Sequence, residues 1–256
     1  MNHTPQIGNY VCASIDLIGT KGKIDKEEFV LCVDKLFTYL KTSSDFEEHG
    51  QHIRVFSDNF VIAMKVQDDD DFARAAKGVI LMTSTIQSNA IFSTECLVRG
   101  GIAYGQLLAG ESIILGPALS RAYEIESKEA IYPRVVIDEN IVDMLNSSID
   151  YADPYDTAKW TTEKMLDRDF DGRMYVKNDF YCFTITDDFL SAHPEYRATT
   201  SALVKIFNKM VADANGDQYD LQKYVWLAKN VNKELKEVNE TKRLSVPPLY
   251  CFISDY

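Results

Sequence analysis

At 256 residues and 46% hydrophobic, the chain carries enough apolar material for a full core, as one large domain or one domain with an appendage, which excludes a wholly disordered protein. A formal charge of -12 and a pI near 4.8 argue against a general nucleic-acid or anionic-membrane binder, whose phosphate affinity needs a basic surface. Cys12, Cys32, Cys96, Cys182 and Cys251 are odd in number and lack CxxC spacing, so they read as reduced core thiols; with no apolar leader pattern and no membrane-length apolar run, a cytoplasmic protein is expected.

Strand and helix signals alternate along the chain. Residues 10–18 read as a strand, and Phe29, Val30, Val33, Phe37 and Leu40 fall at helical spacing within 26–41. Residues 52–66 hold two β-rich stretches separated by Ser57, Asp58 and Asn59, the composition of a tight hairpin, so Asp58 is placed at a hairpin tip. The acidic run 68–71 suits a helix start against the positive end of the helix dipole and precedes an amphipathic segment to about 89. Residues 96–108 form either a strand pair or one long bent strand, in which Gly100, Gly101 and Gly105 signal close backbone approach. Gly116 and Pro117 then introduce a helix over 118–128, a strand follows at 134–137, and a short helix spans about 139–145.

This order implies an α+β fold, with an antiparallel or mixed sheet and helices mainly on one face, over residues 1 to about 150. Residues 151–256 read as an extension: a polar, irregular stretch to 171, a strand pair within 172–185, and amphipathic helices over 199–215 and 221–238. Trp160, Tyr224 and Trp226 are expected to pack its core or to form a dimer contact.

Two acidic positions stand out. Asp16 in VCASIDLIG and Asp58 in IRVFSDNFVIA are each embedded in apolar, β-prone residues, where an unpaired carboxylate costs several kcal/mol to desolvate. Pairing, hydrogen bonding or a bound cation would offset that cost, and a divalent metal is the favoured explanation. The bland reading is a turn-capping Asp16 and a hairpin-satisfying Asp58.

The succession SIDLIG, FSDNF, RGGIAYG and GPALSRAYEIE resembles the catalytic domain of class III nucleotidyl cyclases over roughly residues 8 to 140. That resemblance implies a ferredoxin-like mixed sheet and two Mg²⁺ or Mn²⁺ ions per active site, held by Asp16 and Asp58 with the Leu17 carbonyl as a further ligand. It also implies Arg99 as a triphosphate contact, with Ala103 where the family carries histidine, and Lys177 as a weaker match to a phosphate-binding lysine. Hard oxygen ligands suit Mg²⁺, and an arginine fork suits phosphate. On the GPALSRAYEIE segment, aligned through Gly116 and Glu126, Ser120 replaces an asparagine and Glu124 replaces a transition-state arginine. Arg121 is therefore the candidate to take over that charge, the other options being reliance on metal and Arg99, or inactivity.

Arg54 stands where the family reads the purine edge with lysine or glutamate, and Ile113 where it carries a second polar reader. A donor-only arginine beside an apolar residue favours a base edge rich in acceptors, hence a pyrimidine, UTP ahead of CTP. GPALSRAYEIE is also similar to the pyrimidine nucleotide cyclases of bacterial antiphage signalling, which make cyclic CMP or cyclic UMP for a separate effector. The resemblance further implies a homodimer with active sites at its interface. Two other readings stay open: a catalytically silent cyclase-like domain that binds nucleotide or scaffolds a partner, and an oligonucleotide-forming relative, for which no GGDD or GGDEF string is present.

Overall fold

The computed structural model describes residues 6–42, 50–68, 71–110, 113–177, 206–212 and 218–242. Its first six elements are β1 (Gln6–Ile18), α1 (Glu27–Thr42), β2 (Gln51–Phe56), β3 (Asn59–Val66), α2 (Phe72–Thr94) and β4 (Leu97–Ala109). Their strands stand in the order β2-β3-β1-β4 with antiparallel neighbours, which is the split β-α-β ferredoxin-like arrangement. Then follow β5 (Ile114–Leu115), α3 (Pro117–Lys128), β6 (Val135–Ile137) and α4 (Glu139–Ser147). β5 and β6 both pair with the edge of β4 away from β1, β6 in parallel, so the sheet is mixed as expected.

Alternation along the central strands sorts the helices. Val11, Ala13, Ile15 and Leu17 of β1 join the main core with Phe29 and Val33 of α1, Val79 and Ile86 of α2, and Ile141 and Leu145 of α4. The opposite face of β1 carries Tyr10, Cys12, Ser14 and Asp16, and among the described helices α3 packs there, through Ala118, Ala122, Ile125 and Glu126. Helices therefore lie mainly on one face. Two glycines permit the approach of α3: a Cβ on Gly101 would stand 2.2 Å from the Ala122 carbonyl oxygen, and one on Gly116 would stand 2.7 Å from that of Gln106. The region of residues 96–108 is thus one long strand, tight against its neighbours.

The later elements differ from expectation in two places. The stretch read as polar and irregular contains α5 (Thr157–Trp160), capped by Asp156, which runs on into a π-helical turn at Thr161–Met165. β8 (Met174–Val176) lies within the expected 172–185 and pairs with β7 (Leu166–Arg168), which precedes it, and β8 joins β6, extending the same sheet; residues 178–185 lie outside the described residues. Three-residue strands carry too little periodicity to be located from sequence. Of the two expected C-terminal helices, residues 206–212 are helical, labelled α6, and α7 covers Gln218–Lys242; the rest of 199–215 lies outside the described residues. Trp226 is buried and stacks on Tyr132 at 5.9 Å, in a cluster with Phe207, Leu227 and Tyr175 that Tyr224 also packs against. Trp160 sits apart, under the ammonium of Lys77. Among the described residues no helix is long and apolar enough to cross a membrane.

Candidate active site

Asp16 occupies the end of β1, paired in register with Asn59 of β3 on one side and Arg99 of β4 on the other. Both flanking side chains turn to it: Arg99 Nε donates to Asp16 Oδ2 at 3.0 Å, and Asn59 Nδ2 approaches Oδ1 at 3.5 Å. Asp58 is the second residue of the two-residue loop between β2 and β3, and Ser57 before it adopts a left-handed φ of 59°. The Leu17 amide donates to the Asp58 carbonyl at 3.0 Å, which turns the backbone edge of Leu17 toward the hairpin tip. Thr20 Oγ1 donates to Asp58 Oδ2 at 2.7 Å and fixes that carboxylate. The three residues expected to hold metal thus come together at one end of the central strands, with Arg99 beside them.

Burial raises the pKa of Asp16 above the usual carboxylate range; Arg99 opposes the shift and the like charge of Asp58 adds to it. Glu126, which the sequence reading used only to align a motif, belongs to the same electrostatic group. It is 3% exposed, accepts a hydrogen bond from Ser14 Oγ at 2.6 Å, and its pKa is raised by burial and by the charge of Asp16. The available signal was spacing: positions 118, 122, 125 and 126 share one helical face, and a glutamate among two alanines and an isoleucine there is a buried acid.

Arg54 lies on the same sheet face, in the row that runs Arg54, Val61, Ser14, Gly101 across four strands. Strand spacings put it roughly 12 Å from Asp16 between Cα atoms. Its guanidinium donates to the Gly110 carbonyl, and the Gly110 amide donates to the Ile113 carbonyl at 2.9 Å, so Arg54 and Ile113 are both bonded to the backbone of Gly110.

Arg121 and Lys177 are not gathered into this cluster within one chain. Arg121 Nε donates to Asp138 at 2.6 Å, which raises its pKa, and its guanidinium also meets Glu129 and Glu124. Glu124, which the sequence aligns with the cyclases' arginine, is half-exposed and pairs with Lys128. Lys177 continues β8 beyond Val176, and its ammonium reaches the Glu163 carbonyl at 3.3 Å. Arg134, at the register position beside Arg99, is fully buried and clasped by Asp169 and Asp171, and the Trp226 indole donates to Asp169 at 2.7 Å.

The donors fit a hard divalent ion. Asp16 and Asp58 supply two carboxylates beside a backbone edge, and no cluster of three or more potential metal-binding side chains exists among the described residues. Such a set leaves positions for carbonyl, water and phosphate oxygens, as Mg²⁺ prefers when it binds with a polyphosphate. A cation there would also relieve the burial and like-charge cost that raises Asp16.

No family model matches the sequence, and no curated protein sequence matches it. Solved structures with a similar backbone include the monomeric guanylyl cyclase domain of the RhoGC fusion protein from the aquatic fungus Blastocladiella emersonii, at 16% identity and a TM-score of 0.47, over 68% of this chain and 96% of that one. The catalytic core of a rhodopsin-guanylyl cyclase with converted specificity, in complex with ATPαS, aligns at 13% identity and a TM-score of 0.45, over 68% and 98%. The adenylate/guanylate cyclase/hydrolase from Silicibacter pomeroyi aligns at 13% and 0.41, over 68% and 96%. Likenesses at this level assign no role to individual residues.

Proposed function

We propose that the chain is a metal-dependent nucleotidyl cyclase that converts a pyrimidine nucleoside triphosphate, UTP ahead of CTP, to a 3',5'-cyclic monophosphate and pyrophosphate. The observation that carries this reading is the convergence of Asp16, Asp58 and Arg99, from three separate segments, on one end of a ferredoxin-like sheet. Mg²⁺ or Mn²⁺ bound by the two carboxylates and the Leu17 carbonyl would activate the ribose 3'-oxygen and neutralise the triphosphate. Arg99 supplies a fixed positive charge to the phosphate oxygens, and Arg54 with Ile113 presents a donor and an apolar wall to the base. Residues 1 to about 150 form the catalytic domain in this reading, and residues 151–256 an extension whose strands lengthen its sheet.

The active protein is a homodimer in which Arg54, Arg121 and Lys177 of one chain complete the metal site of the other. Its product serves as a second messenger in antiviral defence, acting on a separate effector; the likeness of GPALSRAYEIE to antiphage cyclases supports that role. Cyclic product and pyrophosphate should form from UTP or CTP only when Mg²⁺ or Mn²⁺ is present, and should vanish in Asp16→Asn and Asp58→Asn. Metal-independent turnover, or wild-type turnover in either variant, would refute the assignment. The second reading, a silent nucleotide-binding domain, is favoured by one observation: Glu124 occupies the arginine position while Arg121 is engaged by three carboxylates.

A further inference from the structure

The arginine meant for phosphate is occupied. In the ligand-free chain Arg99 spends its Nε on Asp16, and among the described residues Asp16 is its one ion-pair partner. The pair is held from both sides: β1 and β4 place the two residues directly opposite each other, and both side chains emerge on the face that α3 covers. It is also accessible, since the Arg99 side chain is 37% exposed and that of Asp16 18%. The surrounding charge is otherwise acidic, with Asp58 and Glu126 both in the electrostatic field of this pair. The ammonium of Lys23 is turned to the carbonyls of Thr94 and Glu95 at 3.1 and 2.7 Å.

From this arrangement we infer that Arg99 is a place-holding cation, and that metal and polyphosphate enter by exchange: the divalent ion takes Asp16 from Arg99, and the released guanidinium takes the polyphosphate. The inference rests on the metal-and-triphosphate reading and adds the order of charge movements within it. A free divalent ion must compete with a positive group already on Asp16. A free polyphosphate meets Asp16, Asp58 and Glu126 with the arginine still engaged. The preformed complex satisfies both partners at once, because the carboxylate that loses an arginine gains a metal and the arginine that loses a carboxylate gains phosphate. The site therefore selects the complex over either component, and two ligands that each relieve the same internal ion pair are positively coupled.

The test uses the full-length protein at about pH 8, well above the ordinary carboxylate range, and needs no turnover. Mn²⁺, inorganic tripolyphosphate and their preformed complex serve as three probes, with Mn²⁺ followed by its relaxation of water protons and all three by calorimetry. Wild type should bind the complex more tightly than either component. Arg99→Gln, with its fold checked by circular dichroism and melting, should bind Mn²⁺ alone roughly three- to fivefold more tightly, the size expected for removing one exposed ion-pair competitor. The same variant should bind the complex more weakly, and Arg99→Lys should keep part of the preference for the complex. Mn²⁺ binding by Arg99→Gln that equals or falls below wild type would overturn the exchange while leaving the metal centre intact. No Mn²⁺ binding by wild type, with or without tripolyphosphate, would instead overturn the metal centre itself, and the exchange with it.

Discussion

Among the described glycines Gly101 leaves the least room for a side chain, two residues along the strands from the Asp16–Arg99 pair, and one added methyl group should report on it. In Gly101→Ala the new carbon would stand 2.2 Å from the Ala122 carbonyl oxygen, 2.6 Å from Ile125 Cβ and 2.9 Å from the Glu126 amide nitrogen. The first and last of these are backbone atoms of α3, so no side-chain rotation relieves the clash, and the helix must lift by about 1 Å to restore ordinary contact. Lifting α3 loosens Ala122 and Ile125 against β4 and draws Glu126 away from Ser14. Overpacking of this kind costs about 2 to 3 kcal/mol, which in a protein of this size lowers Tm by roughly 5 to 10 °C. Gly8→Ala is the control, because its new carbon would meet only the mobile end of Lys65 at 3.3 Å and the edge of Tyr10 at 3.6 Å. Differential scanning calorimetry of the two variants decides the matter. A Gly101→Ala protein that melts with wild type would show that α3 does not sit on β4 as described.

The same geometry sets three further outcomes. Asp16→Asn should melt no lower than wild type at neutral pH, since it removes a half-buried charge whose folded-state pKa is raised, and a fall of several degrees would make Asp16 a structural residue. Glu126 also has a raised folded-state pKa, so the folded protein holds its proton to higher pH than the unfolded chain. Its contribution is therefore lost as pH rises from the usual glutamate range through the folded value. Glu126→Gln should accordingly gain stability relative to wild type between about pH 4 and pH 8 in denaturant titrations, and a difference that does not change with pH would contradict the buried acid. If the site is shared between chains, an Asp58→Ala chain mixed with an Arg54→Ala chain should recover part of the activity that each lacks alone, whereas no recovery after demonstrated subunit exchange would place the whole site in one chain.

The central strands were legible because alternation, turn chemistry and glycine placement agree there. β1, the β2–β3 hairpin with Asp58 at its tip, and α3 behind Pro117 all fall within a few residues of expectation. The contact between Asp16 and Arg99 was not legible from composition or period, since it joins residues 83 apart and depends on the register of β1 against β4. Arg54 and Ile113 are linked only through the Gly110 backbone, a connection that no side-chain pattern announces. Glu126 could have been found by its helical phase, whereas the buried Arg134 gave no such signal, because its aspartates come from a hairpin of three-residue strands. Arg121 shows the opposite case: the charge that the sequence alignment offered for catalysis is held in the single chain by Asp138 and Glu129.

Product identity tests the central claim most directly. The protein is incubated with equimolar ATP, GTP, CTP and UTP and Mn²⁺ or Mg²⁺, and the nucleotides formed are resolved by liquid chromatography and mass spectrometry. The account predicts cyclic UMP as the main product with cyclic CMP second, and pyrophosphate in equal amount. Predominant cyclic AMP or cyclic GMP would contradict the reading of Arg54 and Ile113, and no cyclic product from any of the four would contradict the enzyme.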